Sequence, residues 1–257
     1  MKKHLFAVFL IISFTASSAL SQTISTDRPG FANGTSIVPA GATQIESGYL
    51  YSRVEEVKEH TLGQLLVRFG AAERLELRLG VNSYVSTSSP GADDDGFSDG
   101  SVGLKLKLYH GEQGYETLSY DISTVLETSL PTGSKGYRTG RLQPSVMFVL
   151  DLAVPQGFTL SPFTTYTLAS DDTGQYNQFG GGVSLGVSLT ERTSCFLEYF
   201  GLGKEKDRGP ETTHYLDGGL TFLLADNCQA DIHTGLGMNG PDPNYFVGIG
   251  LSYLFER

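Results

Sequence analysis

Val247-Gly248-Ile249-Gly250-Leu251-Ser252-Tyr253-Leu254-Phe255 closes the chain two residues before its end, and every second side chain in it, from Val247 to Phe255, is apolar. Such an alternation places one set of side chains on each face of a strand. About twelve stretches of this kind succeed one another, joined by connectors that are alternately tight and long. Where the two faces of a closed barrel meet lipid and lumen, this is the expected sequence pattern. The predicted fold is therefore all-β: a transmembrane antiparallel up-and-down β-barrel of about twelve strands, with both termini on the periplasmic side.

The residues ahead of this pattern point the same way. Lys2 and Lys3, the apolar run Leu5 to Ile12 and the small residues Ser17-Ser18-Ala19-Leu20-Ser21 read as a secretory signal peptide over residues 1–21, cleaved after Ala19 or Ser21. The apolar run is shorter than the roughly 20 residues a spanning helix needs. Loss of the two lysines would move the formal charge from -10 to about -12, so nucleic acid is an unsuitable partner. The 32 glycines, 13 tyrosines and 15 phenylalanines suit a single glycine- and aromatic-rich β domain. A mean hydropathy of -0.11 argues against a helical membrane protein but not against a barrel, in which only half of each strand is apolar.

From Thr23 to Gly41 the chain is polar, holds two prolines, and does not alternate. Residues 22–41 are expected to form a periplasmic or lumen-plugging segment ahead of a barrel over 42–257. Thr43–Tyr51 and Thr61–Gly70 read as the first two strands, and Ala71-Ala72-Glu73-Arg74 as a tight link into Leu75-Glu-Leu77-Arg-Leu79. Ser86–Phe97 reads as a long loop. Strand four runs from Asp99, strand five from Thr117 to Leu130, and a second long loop extends to Arg141. Later strands meet at Ala153–Gly157, Thr190–Arg192 and Ala225–Asn227, all short, while Lys204–Glu211 and Asn239–Asn244 are loops. Short links after the second, sixth, eighth and tenth strands and long ones after the third, fifth, seventh and ninth match periplasmic turns and extracellular loops. A secreted β-sandwich or soluble barrel would also alternate. Ionisable residues recurring on the face opposite the apolar set of nearly every strand, and an aromatic end at Tyr253 and Phe255, favour the membrane barrel.

Cys195 and Cys228 would begin the ninth and eleventh strands. Two inter-strand spacings come to about 9.6 Å, beyond the roughly 7 Å Cα limit of a disulfide, so two free thiols are expected. With no tryptophan, aromatic girdles would fall to Tyr49, Tyr51, Tyr166, Tyr199, Tyr253 and Phe255.

If the apolar set faces lipid, the other set lines the lumen. On the first three strands this gives Gln44, Glu46, Gln64, Arg68, Glu76, Arg78 and Asn82; on the next three, Asp99, Lys105, Lys107, Asp121, Glu127 and Asp151; on the last six, Gln178, Glu198, Asp217, Asp231 and His233. Acids outnumber bases. These charges either select solutes in a polar pore or pair with one another in a filled interior, and the sequence is compatible with both. Asp27 and Arg28, within Thr26-Asp27-Arg28-Pro29, are candidates for a constriction, the alternative being a plain leader. Asp93-Asp94-Asp95 invites a calcium reading, but its spacing fits no EF-hand, and a solvated loop explains it. No catalytic motif, cofactor fingerprint or metal-ligand spacing is present; His60, His214 and His233 are the residues through which a barrel hydrolase would have to work.

Several segments, taken in order, resemble a known family. They are Thr26-Asp27-Arg28-Pro29-Gly30-Phe31, Val38-Pro-Ala-Gly41, Gln44-Ile-Glu46-Ser-Gly48-Tyr49, Glu73-Arg-Leu-Glu76-Leu-Arg78, Asp99-Gly-Ser-Val-Gly103-Leu-Lys105, Leu130-Pro-Thr-Gly133 and Val247 to Tyr253. Together they resemble the outer-membrane transporters named for the meta-pathway of phenol degradation. Gly30 departs from that pattern by standing where it carries an acidic residue. The resemblance implies an outer-membrane channel for passive uptake of small organic, aromatic or hydrophobic solutes, working without a cofactor. Its expected partners are the lipid bilayer, small-molecule solutes and, during insertion, the barrel-assembly machinery. A non-conducting structural or adhesive barrel and an outer-membrane barrel hydrolase are the competing functions.

Overall fold

The structure, a computed structural model, describes residues 23–113, 118–154, 157–171, 174–205, 212–239 and 244–256; the expected signal peptide lies outside the described residues. Fourteen strand segments succeed one another: β1 Thr43–Val54, β2 Val57–Ala72, β3 Leu75–Gly80, β4 Tyr84–Ser89, β5 Ala92–Phe97, β6 Gly100–Gln113, β7 Leu118–Leu130, β8 Gln143–Val154, β9 Phe158–Asp171, β10 Gly174–Ser188, β11 Thr193–Lys204, β12 Thr213–Ala225, β13 Cys228–Gly237 and β14 Tyr245–Phe255. All pairings between them are antiparallel, and β1 pairs with both β2 and β14, so the sheet closes on itself.

β3 and β4 lie end to end along β2, opposite Leu66–Ala72 and Lys58–Leu62 respectively. β5 and β6 continue the same way along β4 and β3. The segments thus make a closed barrel of 12 strands, as the alternation predicts. The stretch expected to be a loop, Ser86–Phe97, is instead a hairpin turning at Pro90-Gly91, where Gly91 has φ +90°. β1 and β2 likewise run on past Tyr51 and before Thr61, to a two-residue turn at Glu55-Glu56. Both extensions escaped the sequence pattern because water bathes both faces of a projecting hairpin, which removes the pressure for one face to be apolar.

The side chains are sorted inside out relative to a soluble barrel. Leu77, Leu79, Leu126, Phe148, Leu160, Leu185, Leu197, Ile249 and Leu251 stand on the outer face with 40% to 55% of their surface exposed. Glu46, Arg68, Glu76 and Lys105 are 0% exposed on the inner face. An apolar belt of this extent is the surface a bilayer requires and one that water penalises. Toward the end that carries the β1–β2 turn, outward tyrosines are tied to polar partners: Tyr49 to His60 and Tyr199 to His214 at 2.7 Å, and Tyr166 to Asn177 at 2.6 Å. At the opposite end Tyr253 packs on Phe255 with ring centroids 4.6 Å apart. Cys195 and Cys228 are free thiols, separated by β12.

One irregularity sets which β2 residues look inward. Gln64 (φ 37°) and Leu65 stand opposite the single residue Ser47, a bulge that the chain enters through Gly63 (φ +102°), the partner of Gly48. A bulge inserts one extra residue and so reverses the facing of the residues beyond it. Leu62 therefore stands outward at 45% exposure, whereas Gln64 and Arg68 turn into the barrel.

Candidate functional site

The segment ahead of β1 runs inside the barrel. It enters beside Ile24, whose N–H donates to the Asp226 carbonyl, and leaves at Ala40, which bridges to Gly70 of β2. Between these points it bonds to β1, β2, β3, β6, β8, β11, β13 and β14, a set of partners on every side that only an interior position provides. Both its limbs rest at the rim where β14 ends. Here Ile24, Val38 and Ala42 pack on Leu254, which is 1% exposed. Leu254 is the one inward member of the apolar tail Tyr253-Leu254-Phe255, and it anchors the segment.

Asp27 occupies the centre of a charge cluster. Lys105 donates from Nζ to Asp27 Oδ1 at 2.6 Å, Arg78 from Nη1 to Asp27 Oδ2 at 2.6 Å, and Arg68 Nη1 lies 3.6 Å from the same oxygen. Glu46 and Glu76 complete the cluster from the wall: Arg68 reaches Glu46 at 2.7 Å and both oxygens of Glu76 at 2.8 Å, and Arg78 reaches Glu76 at 2.9 Å. Burial opposes ionisation of Asp27, but Arg68, Lys105 and Arg78 outweigh it and hold the carboxyl well below the usual carboxylate range.

Arg28 points the other way. Its guanidinium bonds to both carboxylate oxygens of Asp231 at 3.3 Å, to Gln64 at 3.1 Å and to the Ile249 carbonyl at 3.2 Å. Gly48 and Gly250, paired across β1 and β14, make the notch for it; a Cβ on either would overlap the guanidinium. Further along, the Phe31 and Ala32 N–H groups donate to Glu198 at 2.6 and 3.0 Å, and Thr35 donates through N and Oγ1 to Asp151 at 3.0 and 2.6 Å. The Gly30 departure has a reason here. A Cβ at Gly30 would stand 3.3 Å from a Glu198 oxygen, which leaves an acidic side chain beside a like charge.

The Phe31 ring stacks on Phe200 with centroids 4.4 Å apart and lies 5.7 Å from Phe163. Phe200 in turn stacks on Tyr215 at 4.7 Å, and Val149, Met147, Leu202 and Phe246 finish this inward apolar group. Assigning every apolar side chain to lipid hides this cage, although Phe200 shares parity with Glu198 and that parity gives it away. Next to it, a cavity of about 230 Å³ opens between the segment and β8–β12, bordered by small residues including Ser161, Ser184, Gly186, Ser194 and Thr221.

The remaining residues expected in the lumen are spread over the interior and its far rim. Gln44 bonds Glu46 and the Ser25 carbonyl, and Lys107 pairs with Asp121 at 2.8 Å. Glu127 lies 3.7 Å from Arg78, and Gln178 sits on β10 opposite Thr167 and Lys204. Asp217 lies opposite Glu198, with His233 Nδ1 4.0 Å from its carboxylate. Asn82 and Asp99 stand between strand segments and hold the 131–142 loop: Asn82 bonds Thr132, while Asp99 accepts from Gly133 and Thr139. Those hydrogen bonds keep the Asp99 carboxyl below its ordinary range against the effect of burial. Gln229, which donates to Thr26 at 2.6 Å, belongs to the interior set and was not anticipated. His60 and His214 are committed to outward tyrosines, apart from the interior cluster. The Asp93–Asp95 run lies on exposed β5, where Asp93 accepts from Ser88 and Asp95 from Tyr84.

The fold is shared with an outer membrane channel from Pseudomonas putida F1, with a TM-score of 0.67 at 14% identity over 89% of this chain and 99% of that one. The NanC porin is similar over 82% of this chain and 98% of its own, at 12% identity and a TM-score of 0.54. No curated protein gives a significant match to the sequence. A family model does, across residues 26–255, a span that takes in the interior segment from Thr26 onward as well as the whole barrel. By that match, the chain belongs to the family described as "Putative MetA-pathway of phenol degradation".

Proposed function

We propose that the protein is an outer-membrane channel for passive uptake of small organic solutes, with residues 23–42 as the element that sets how far its lumen is open. The carrying observation is that the interior segment is held by polar contacts to the wall while a cavity of about 230 Å³ runs beside it. A purely structural barrel gains nothing from such a cavity. The apolar belt supports residence in a bilayer, and the likeness to two outer-membrane channels in fold supports that membrane. On this reading the termini and short turns face the periplasm, and solutes enter from the end bearing the 131–142 loop. The cage around Phe31 favours aromatic or apolar solutes, because a ring leaving that place exposes Phe200 and Phe163 as a stacking surface. Uptake needs no covalent chemistry and no cofactor.

Planar-bilayer recording tests this. Refolded protein should give discrete conductance steps, larger when residues 26–36 are replaced by a short glycine-serine link. A correctly folded sample, shown by its heat-modifiable mobility, that never conducts and never admits solute into liposomes would overturn the proposal in favour of a structural or adhesive barrel.

A further inference from the structure

Lys105 is wholly buried, and each of its polar partners belongs to the interior segment: Asp27 Oδ1 at 2.6 Å, the Gly34 carbonyl at 2.7 Å and the Ser36 carbonyl at 3.3 Å. Asp27 is its only ion-pair partner among the described residues. Arg78 depends on the segment in part, since its Nη1 also reaches Glu76 of the wall at 2.9 Å and its Nε lies 3.7 Å from Glu127. Its Nη1 reaches Asp27 and its Nη2 reaches Asn33 at 2.9 Å, while its Nε has no hydrogen-bond partner in a side chain that is 5% exposed. The wall thus presents cations that its nearest carboxylates leave incompletely matched, and one carboxylate from the interior segment completes them. Glu46 pairs with Arg68, and Glu76 is shared between Arg68 and Arg78, so two wall carboxylates face three cations.

We propose that Lys105, Arg78 and Arg68 form a binding site for the carboxylate of a permeating solute, and that Asp27 is an intramolecular stand-in which such a solute displaces. The site lies on β2, β3 and β6. Displacement exchanges one carboxylate for another on the same donors, so the cations are never left bare in a low-dielectric interior, where an unpaired charge is costly. A neutral solute has nothing to exchange and leaves Asp27 in place. Solutes carrying one carboxylate are therefore admitted ahead of neutral ones of equal size. This rests on the channel reading for its biological sense, but the binding itself does not.

The test is calorimetric titration of refolded protein in detergent with sodium acetate and sodium benzoate at constant ionic strength, with sodium chloride as reference. Asp27→Ala should bind both carboxylates saturably, at least 10-fold more tightly than wild type, and Lys105→Met added to it should abolish the binding. If Asp27→Ala does not fold, Asp27→Asn keeps the shape without the charge, and the same gain over wild type is expected. A folded variant that binds acetate and benzoate no better than chloride, or as well with Met at position 105, would overturn the site. Binding without conductance keeps the site and sinks the channel; conductance without binding does the reverse.

Discussion

Asp27 and Arg28 are adjacent, yet they carry opposite charges to different partners, Asp27 to the cations of β2, β3 and β6 and Arg28 to Asp231 of β13, with Gln64 of β2 beside it. Removing one partner of a buried ion pair typically costs about 3–5 kcal/mol. Asp27→Asn is therefore expected to loosen the interior segment by about that amount, seen as proteolysis within residues 26–36 of a barrel that stays folded. The pH dependence comes from the depressed Asp27 pKa. A lowered folded-state pKa contributes stability that is fully present above the ordinary value and lost as pH falls through the lowered one. The difference in protection between wild type and Asp27→Asn should hold constant from about pH 7 to 5 and shrink only below the usual carboxylate range of about 4. At Gly48 the argument is steric. Gly48→Val fills the notch against Arg28, so the guanidinium must leave Asp231, and protection of the segment should fall although no charge has been touched.

Among the elements, the strands were legible and the interior segment only partly so. Period-2 alternation from Leu75 to Leu79 or Val247 to Phe255 states a strand and its outer face at once, because lipid tolerates few alternatives. The same rule sets Glu46, Arg68, Glu76 and Lys105 on the face away from lipid. It could not show that Thr23–Ala42 folds inward, since a segment without secondary structure carries no periodicity, and its position is decided by partners hundreds of residues away, such as Asp231. Read as sending every apolar side chain to lipid, it also hid the aromatic cage, although the parity that Phe200 shares with Glu198 sets that ring inward. The bulge at Gly63 was equally silent. Phe31→Ala removes the half-buried ring stacked on Phe200, at a cost below the ~3–5 kcal/mol of a fully buried phenylalanine. In bilayer recordings that variant should spend more time in its larger conductance state than wild type does.

For the molecule as a whole, the outer belt and the inner charges make opposite demands that only a closed cylinder meets together. A single charge moved to the outer midplane shows this most directly. Leu197→Arg or Leu126→Arg should cost about 2–4 kcal/mol, read as a lower urea midpoint in lipid vesicles, whereas at Arg68 on the inner face the burial of the same charge is offset by ion pairs with Glu46 and Glu76. The interior segment, finally, has an implication for assembly. It is bonded at once to β2 near the start of the chain and to β13 near its end, two walls that do not exist as a pair until β1 has met β14. Its docking must then be the closing event of folding, and once seated it acts as a cross-brace, resisting ovalisation of the cylinder under lateral pressure from the surrounding membrane.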